Sequence, residues 1–100
     1  MRGSRTGRPI MALFDLLGRR WSMRLLWELR DGGLTFRELQ ARCEGMSSSV
    51  LNERLRELRE AGIVTANRRD GYGLTDAGDA LLEALAPLHA WAETWAKRAG

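Results

Sequence analysis

Cysteine, histidine and proline are nearly absent from this 100-residue chain, which holds Cys43, His89, Pro9 and Pro87 and no others of those types. One cysteine excludes an internal disulfide and any multi-cysteine zinc site. A lone histidine and a lone cysteine, with no glycine-rich phosphate loop and no paired ligand spacing, leave no set of groups to hold a metal or run nucleophilic catalysis. The expectation is a protein that is not an enzyme and carries neither cofactor nor metal. No apolar run approaches the roughly 20 residues needed to span a bilayer. The secretory pattern of charge, long apolar stretch and small-residue cleavage site is also missing. A cytoplasmic protein without membrane association is therefore expected.

What is present reads as one soluble domain, with 44% apolar and 29% charged residues. Net charge is +3 and the pI about 10.0, unevenly spread. Residues 1–30 hold seven arginines (2, 5, 8, 19, 20, 24, 30) against Asp15 and Glu28. Residues 76–100 hold acids at 76, 79, 83 and 93 against Lys97 and Arg98. A basic front and an acidic tail suit an anionic partner on one side only.

The stretch Met46 to Gly62 organises the rest. Ser47 can accept a hydrogen bond from a free first-turn N–H, and Gly62 suits the left-handed residue just past a helix end. Leu51, Leu55 and Leu58 fall on one face of the helix 47–61, and Ser49, Asn52, Glu53, Arg56 and Glu60 point the other way. Such a face fits either a plain surface helix or a helix shaped to enter a DNA groove.

Around it, residues 1–8 read as a flexible basic arm whose Met1-Arg2-Gly3-Ser4 looks like an expression-tag remnant. Residues 9–98 read as a single domain. Pro9 opens a first helix carrying Ile10, Leu13, Phe14 and Leu17 up to Gly18. A second helix over about 22–30 has two overlapping apolar faces (Met23, Leu26, Leu29 and Leu25, Leu29), which predicts wide burial. Thr35-Phe36-Arg37-Glu38 forms a capping box for a short third helix with Phe36, Leu39 and Cys43 inward. After Gly62 the period shortens: Ile63 to Asn67 and Tyr72 to Leu74 read as strands joined by a two-residue turn at Asp70-Gly71, with Arg68 and Arg69 at the tip. Thr75 can cap a last helix, with Asp76 and Asp79 in its positive first turn. Its apolar stripe runs through Leu81, Leu82, Leu85, Leu88, Ala92 and Trp95, and Pro87 is expected to kink or split it. A stripe this long, reinforced by Trp91, exceeds one small core and predicts a partner surface, most simply a symmetric dimer.

Two short capped helices joined by a tight turn, the second polar outward, form a helix-turn-helix pattern. Helix, helix, helix-turn-helix, hairpin and long helix make a mainly α winged helix-turn-helix with a small β-hairpin. The residues also resemble one family, the HxlR-type bacterial transcriptional regulators related to the MarR-like group. The likeness runs through Gly18-Arg-Arg-Trp-Ser22, Leu34-Thr-Phe-Arg-Glu-Leu39, Met46-Ser47, Val50-Leu51, Arg54-Leu-Arg-Glu-Leu58, Ala61-Gly-Ile-Val64 and Tyr72-Gly-Leu-Thr-Asp-Ala-Gly78, covering about residues 10–96. It implies a nucleoid-associated repressor, dimeric through helices 9–18 and 75–98, that binds a palindromic operator. It places helix 47–61 in the major groove and hairpin 63–74 as the wing. Family members that sense oxidants commonly carry a cysteine at or before the first helix; this chain has none there.

On that layout, Ser47, Ser48, Ser49, Asn52, Glu53 and Arg56 are candidates to touch double-stranded DNA. Arginine can fork onto guanine, asparagine can pair with adenine and glutamate can accept from cytosine. Thr35 and Arg37 are candidate phosphate contacts, with Arg19 and Arg20 as weaker ones, and Arg68 and Arg69 are candidates for phosphate or minor-groove contact. Leu13, Phe14, Leu17, Leu88, Trp91 and Trp95 are assigned to the dimer interface, where a cleft between subunits is a candidate site for a small aromatic effector. The competing reading is a winged helix used only for protein–protein contact, because residues 35–60 balance five arginines with five glutamates.

Overall fold

The computed structural model describes residues 8–67 and 71–99. Among the described residues, five helices and one hairpin follow in order: α1 (Pro9–Leu17), α2 (Ser22–Glu28), α3 (Phe36–Arg42), α4 (Ser48–Glu60), β1 (Val64–Asn67), β2 (Gly71–Leu74) and α5 (Asp76–Ala99).

Local chemistry accounts for most of the element ends. Pro9 opens α1 at a position where no backbone N–H is needed. Thr35 and Glu38 complete their capping box: the Glu38 amide donates to Thr35 Oγ1 at 3.1 Å, and the Thr35 amide donates to Glu38 Oε1 at 2.9 Å. Ser47 Oγ accepts from the Val50 amide at 3.2 Å and starts α4. At the other end Gly62 takes a left-handed φ of 77°. The Gly62 amide then bonds the Arg59 carbonyl and the Ile63 amide bonds the Leu58 carbonyl. That pair of bonds is a Schellman stop, which turns the chain sharply from α4 into the hairpin.

The core is built mainly from leucines. Leu25, Leu26 and Leu29 of the second helix and the turn after it meet Leu39 and Cys43 from the α3 region, Leu51, Leu55 and Leu58 from α4, and Ile63 and Val64. Fully burying one such side chain stabilises by about 1.5–3 kcal/mol. The second helix is not buried all round: Met23 and Trp27 stay exposed. Seven residues make two turns, and only Leu25 and Leu26 of its large apolar residues face the core. Cys43 is buried as expected but caps α3 instead of lying within it.

The hairpin pairs Val64 with Leu74, Thr65 with Gly73, Ala66 with Tyr72 and Asn67 with Gly71. This register places Gly71 inside β2, opposite Asn67, and not in the turn where the sequence puts it; Asp70 lies outside the described residues. Gly71 instead serves the strand, at φ 77°, where a Cβ would collide with the Leu34 carbonyl. The reason is close backbone approach: Leu34 and Tyr72 exchange N–H···O bonds of 2.9 and 2.8 Å. The segment entering the helix-turn-helix is thereby laid against the wing.

Thr75 anchors the last helix. Its Oγ1 accepts from the Gly78 amide at 3.1 Å, and its hydroxyl donates to the Gly62 carbonyl at 2.6 Å. Helix α5 then runs unbroken over 24 residues, so Pro87 does not split it. Proline removes one bond to the Glu83 carbonyl, and both residues lie on exposed surface where water can serve that carbonyl. Leu81 and Leu82 pack on the core, whereas Leu88, Trp91 and Trp95 do not.

Candidate nucleic-acid interface

Burying Leu51, Leu55 and Leu58 forces the opposite face of α4 outward. Ser48, Ser49, Asn52, Glu53 and Arg56 are all exposed on it, as is the capping Ser47. The serines are already ordered by one another and by α3. Gln40 Nε2 donates to Ser48 Oγ at 2.8 Å, and Ser47 Oγ lies 3.2 Å from Ser49 Oγ. The first bond links α3 to the start of α4.

Arg56 is held at three nitrogens. Its Nε donates to Glu53 Oε2 at 3.2 Å, its Nη2 donates to Glu53 Oε1, and its Nη1 donates to Glu60 Oε1 at 2.7 Å. The hydrogen bonds from Arg56 hold the Glu53 carboxyl below the usual carboxylate range, and those to Glu53 and Glu60 raise the guanidinium pKa further above neutrality. Glu53 in the free protein is therefore a partner of Arg56 first, and both of its oxygens are engaged.

The remaining predicted contacts are dispersed. Thr35 and Arg37 are exposed at the start of α3, with the Thr35 hydroxyl committed to the cap. Arg68 and Arg69 lie outside the described residues. Arg19 reaches Glu57 at 3.3 Å, and the Arg20 guanidinium sits 5.5 Å from the centre of the Trp21 ring. Arg59, not singled out from the sequence, borders a hollow with Arg56, Thr65 and Ala66, in the corner between α4 and the hairpin. Its signal was available: it follows Arg56 by three residues, within one turn.

Glu57 was also missed. It is 7% exposed, and Arg54 Nη1 donates to its Oε1 at 2.6 Å. Arg54 also donates through Nε to the Arg20 carbonyl at 3.0 Å. The second bond, with the Arg19–Glu57 ion pair, ties α4 to the loop that follows α1. Position 57 adjoins Leu58 on the wheel, which is the pattern clue to its burial.

A second feature lies away from α4. Met23, Trp27, Leu85, Leu88 and His89 line a groove of about 820 Å³ between α2 and α5. Trp27 stacks on His89 with ring centroids 5.2 Å apart, and the Arg30 guanidinium lies 3.9 Å from the Trp27 ring centre. His89 is also 3.4 Å from Glu93. Trp91 and Trp95 stack at 6.0 Å and are 60% and 57% exposed. Leu13 and Leu17 are partly buried and Phe14 is exposed.

The description of HxlR-like helix-turn-helix proteins matches residues 16–99. The chain belongs to the HxlR-like helix-turn-helix family. Among its relatives, the transcriptional regulator YvaP of Bacillus subtilis is 36% identical over 81% of this chain and 81% of its own length. YodB of the same organism, also a transcriptional regulator, is 34% identical over 80% of this chain and 77% of its own. The quinone-bound crystal structure of YodB superposes with a TM-score of 0.79 over 85% of this chain and 96% of that one. A MarR-family regulator from Enterococcus faecalis, 28% identical, gives 0.78 over 97% and 96%. This HxlR-like chain is a transcriptional regulator with a winged helix-turn-helix DNA-binding domain. It is not an enzyme. No helix among the described residues is long and apolar enough to cross a membrane.

Proposed function

We propose that the protein is a repressor that binds a palindromic operator as a homodimer, with α4 in the major groove and the hairpin as its wing. The observation that carries this reading is the capped α3–α4 pair, whose outward face presents Ser48, Ser49, Asn52, Glu53 and Arg56. Ser47 divides its role, capping α4 through its hydroxyl and facing DNA beside Ser48. Arg37 and Thr35 then approach phosphate from the start of α3, and Arg68 and Arg69 do so from the wing. Phosphate contacts fix register and base-edge contacts choose the sequence. The two-fold comes from α1 and α5, through Leu13, Phe14, Leu17, Leu88, Trp91 and Trp95. Large apolar side chains left in water along one helix are best satisfied by a second copy.

The effector side of the reading is narrower. YodB has been solved with a quinone bound. In this chain the lone thiol, Cys43, is buried, and that burial pushes its pKa up, with Glu28 adding to the rise and Arg24 opposing it. A thiolate is the reactive form, so a planar aromatic effector is assigned to noncovalent uptake beside Trp27 and not to capture by Cys43.

The deciding experiment is selection of bound sequences from a pool of random duplexes, followed by titration at several salt concentrations. Enrichment of an inverted repeat, with affinity falling steeply as salt rises, supports the reading. Absence of binding to any duplex at low salt, with a stable complex to a protein partner, would replace it with an interaction module.

A further inference from the structure

The contacts of Arg56 have a consequence for which base the helix reads. A guanidinium carries five N–H donors: one on Nε and two on each terminal nitrogen. Among the described residues, its hydrogen bonds to Glu53 and Glu60 occupy one donor on each of the three nitrogens. Two donors remain, one on Nη1 and one on Nη2. Two donors are what a bidentate contact to the O6 and N7 acceptors on the major-groove edge of guanine requires. Adenine offers an amino donor where guanine offers O6, so the same fork meets a repulsive partner there.

The carboxylates also decide what Arg56 avoids. A lone exposed arginine on a groove-facing helix is drawn to the nearest phosphate, which carries no sequence information. Here two carboxylates touch the guanidinium, and Glu53, Arg56 and Glu60 are similarly exposed. The cluster carries a net negative charge, so phosphate oxygens are repelled from it.

We infer that Glu53 and Glu60 are positioning residues that turn Arg56 into a guanine reader and keep it from the DNA backbone. The inference rests on the reading of α4 as the recognition helix. It assigns at least one guanine to each operator half-site and gives the two glutamates a role in specificity, not affinity.

The test uses the full chain as wild type, the E53Q/E60Q double variant and R56A. Sites enriched by the wild type from a random duplex pool are resynthesised with single 7-deazaguanine replacements, which delete N7 alone. One guanine per half-site should then cost the wild type about five-fold in affinity or more, and cost R56A nothing. E53Q/E60Q should show a penalty below about two-fold at that guanine, with tighter and more salt-dependent binding to unselected duplex. These exposed substitutions preserve side-chain shape. An E53Q/E60Q penalty equal to wild type, with unchanged binding to unselected duplex, overturns the positioning role. A penalty that survives in R56A overturns the assignment of Arg56. Failure of the wild type to enrich any sequence instead removes the recognition-helix reading, a separate and recognisable outcome.

Discussion

Arg54 and Glu57 meet at 2.6 Å on the protein-facing side of α4, 17% and 7% exposed, with Arg19 completing the contact at 3.3 Å. Arg54 bridges onward to the Arg20 carbonyl, so α4 is clasped to the end of the α1–α2 turn. A nearly buried carboxylate is tolerable only while its cations stay in place. Glu57→Ala leaves Arg54 without its partner in a confined site and is expected to lower unfolding stability by about 3 kcal/mol. Urea unfolding followed by circular dichroism checks this, and a loss below half that figure would reduce the clasp to an ordinary surface pair.

Gly78 makes a steric prediction. A Cβ there would collide with the Ile63 carbonyl and press on the Leu74 side chain at 3.2 Å. Helix propensity alone favours alanine over glycine by about 1 kcal/mol. Gly78→Ala is nevertheless expected to destabilise by about 1–3 kcal/mol, because the carbonyl belongs to the turn that launches the wing and cannot retreat. A melting temperature equal to or above wild type would show that the α5 start has room to move.

The dimer reading is tested on the exposed tryptophans. Replacing Trp91 and Trp95 together by glutamate places charge on the stripe without touching the core, since neither residue packs on it. Analytical ultracentrifugation is expected to show the wild type as a dimer at micromolar concentration and the W91E/W95E variant as a monomer with unchanged helicity. A wild-type monomer would refute the assignment of both residues.

Acid should loosen the start of the helix-turn-helix. The hydrogen bond from the Thr35 amide, with a further contribution from the Thr35 side chain, lowers the Glu38 carboxyl below the usual glutamate value. A carboxyl depressed in the folded state contributes stability above its unfolded pKa and loses it as pH falls through the folded one. Glu38→Gln should therefore weaken the protein at neutral pH, and the difference from wild type should shrink below the ordinary glutamate range. A difference independent of pH would mean that the carboxylate charge has no part in the cap. Thr35→Ala removes the other half and is expected to cost about 1 kcal/mol.

Cys43 should behave as a small apolar side chain. A thiol reagent is expected to modify it slowly in the native protein and rapidly in denaturant, and DNA affinity should not respond to mild oxidant. Fast native-state labelling would contradict its burial.

The sequence by itself determined the order of elements and most of their ends. Caps and periodicities are local: Thr35 and Glu38 are three residues apart, Ser47 bonds Val50, and the leucines of α4 need only the helical repeat to line up. Pro9 and Gly62 act within one turn of their own positions, as does the Thr75 cap on the Gly78 amide. The outward face of α4, and with it the candidate DNA contacts, was therefore legible before any fold was known.

What only the tertiary structure decided are relations between residues far apart in the chain. Leu34 bonding to Tyr72 explains why glycine stands at 71, and no local turn rule contains that contact. Glu57 was one charge among five glutamates until packing placed it beside Arg54 and Arg19. His89 and Trp27, 62 positions apart, stack only because α5 crosses α2. Local hydrogen bonding and the helical repeat are written in neighbouring residues, whereas burial and side-chain orientation are set by whichever distant segments the folded chain brings together.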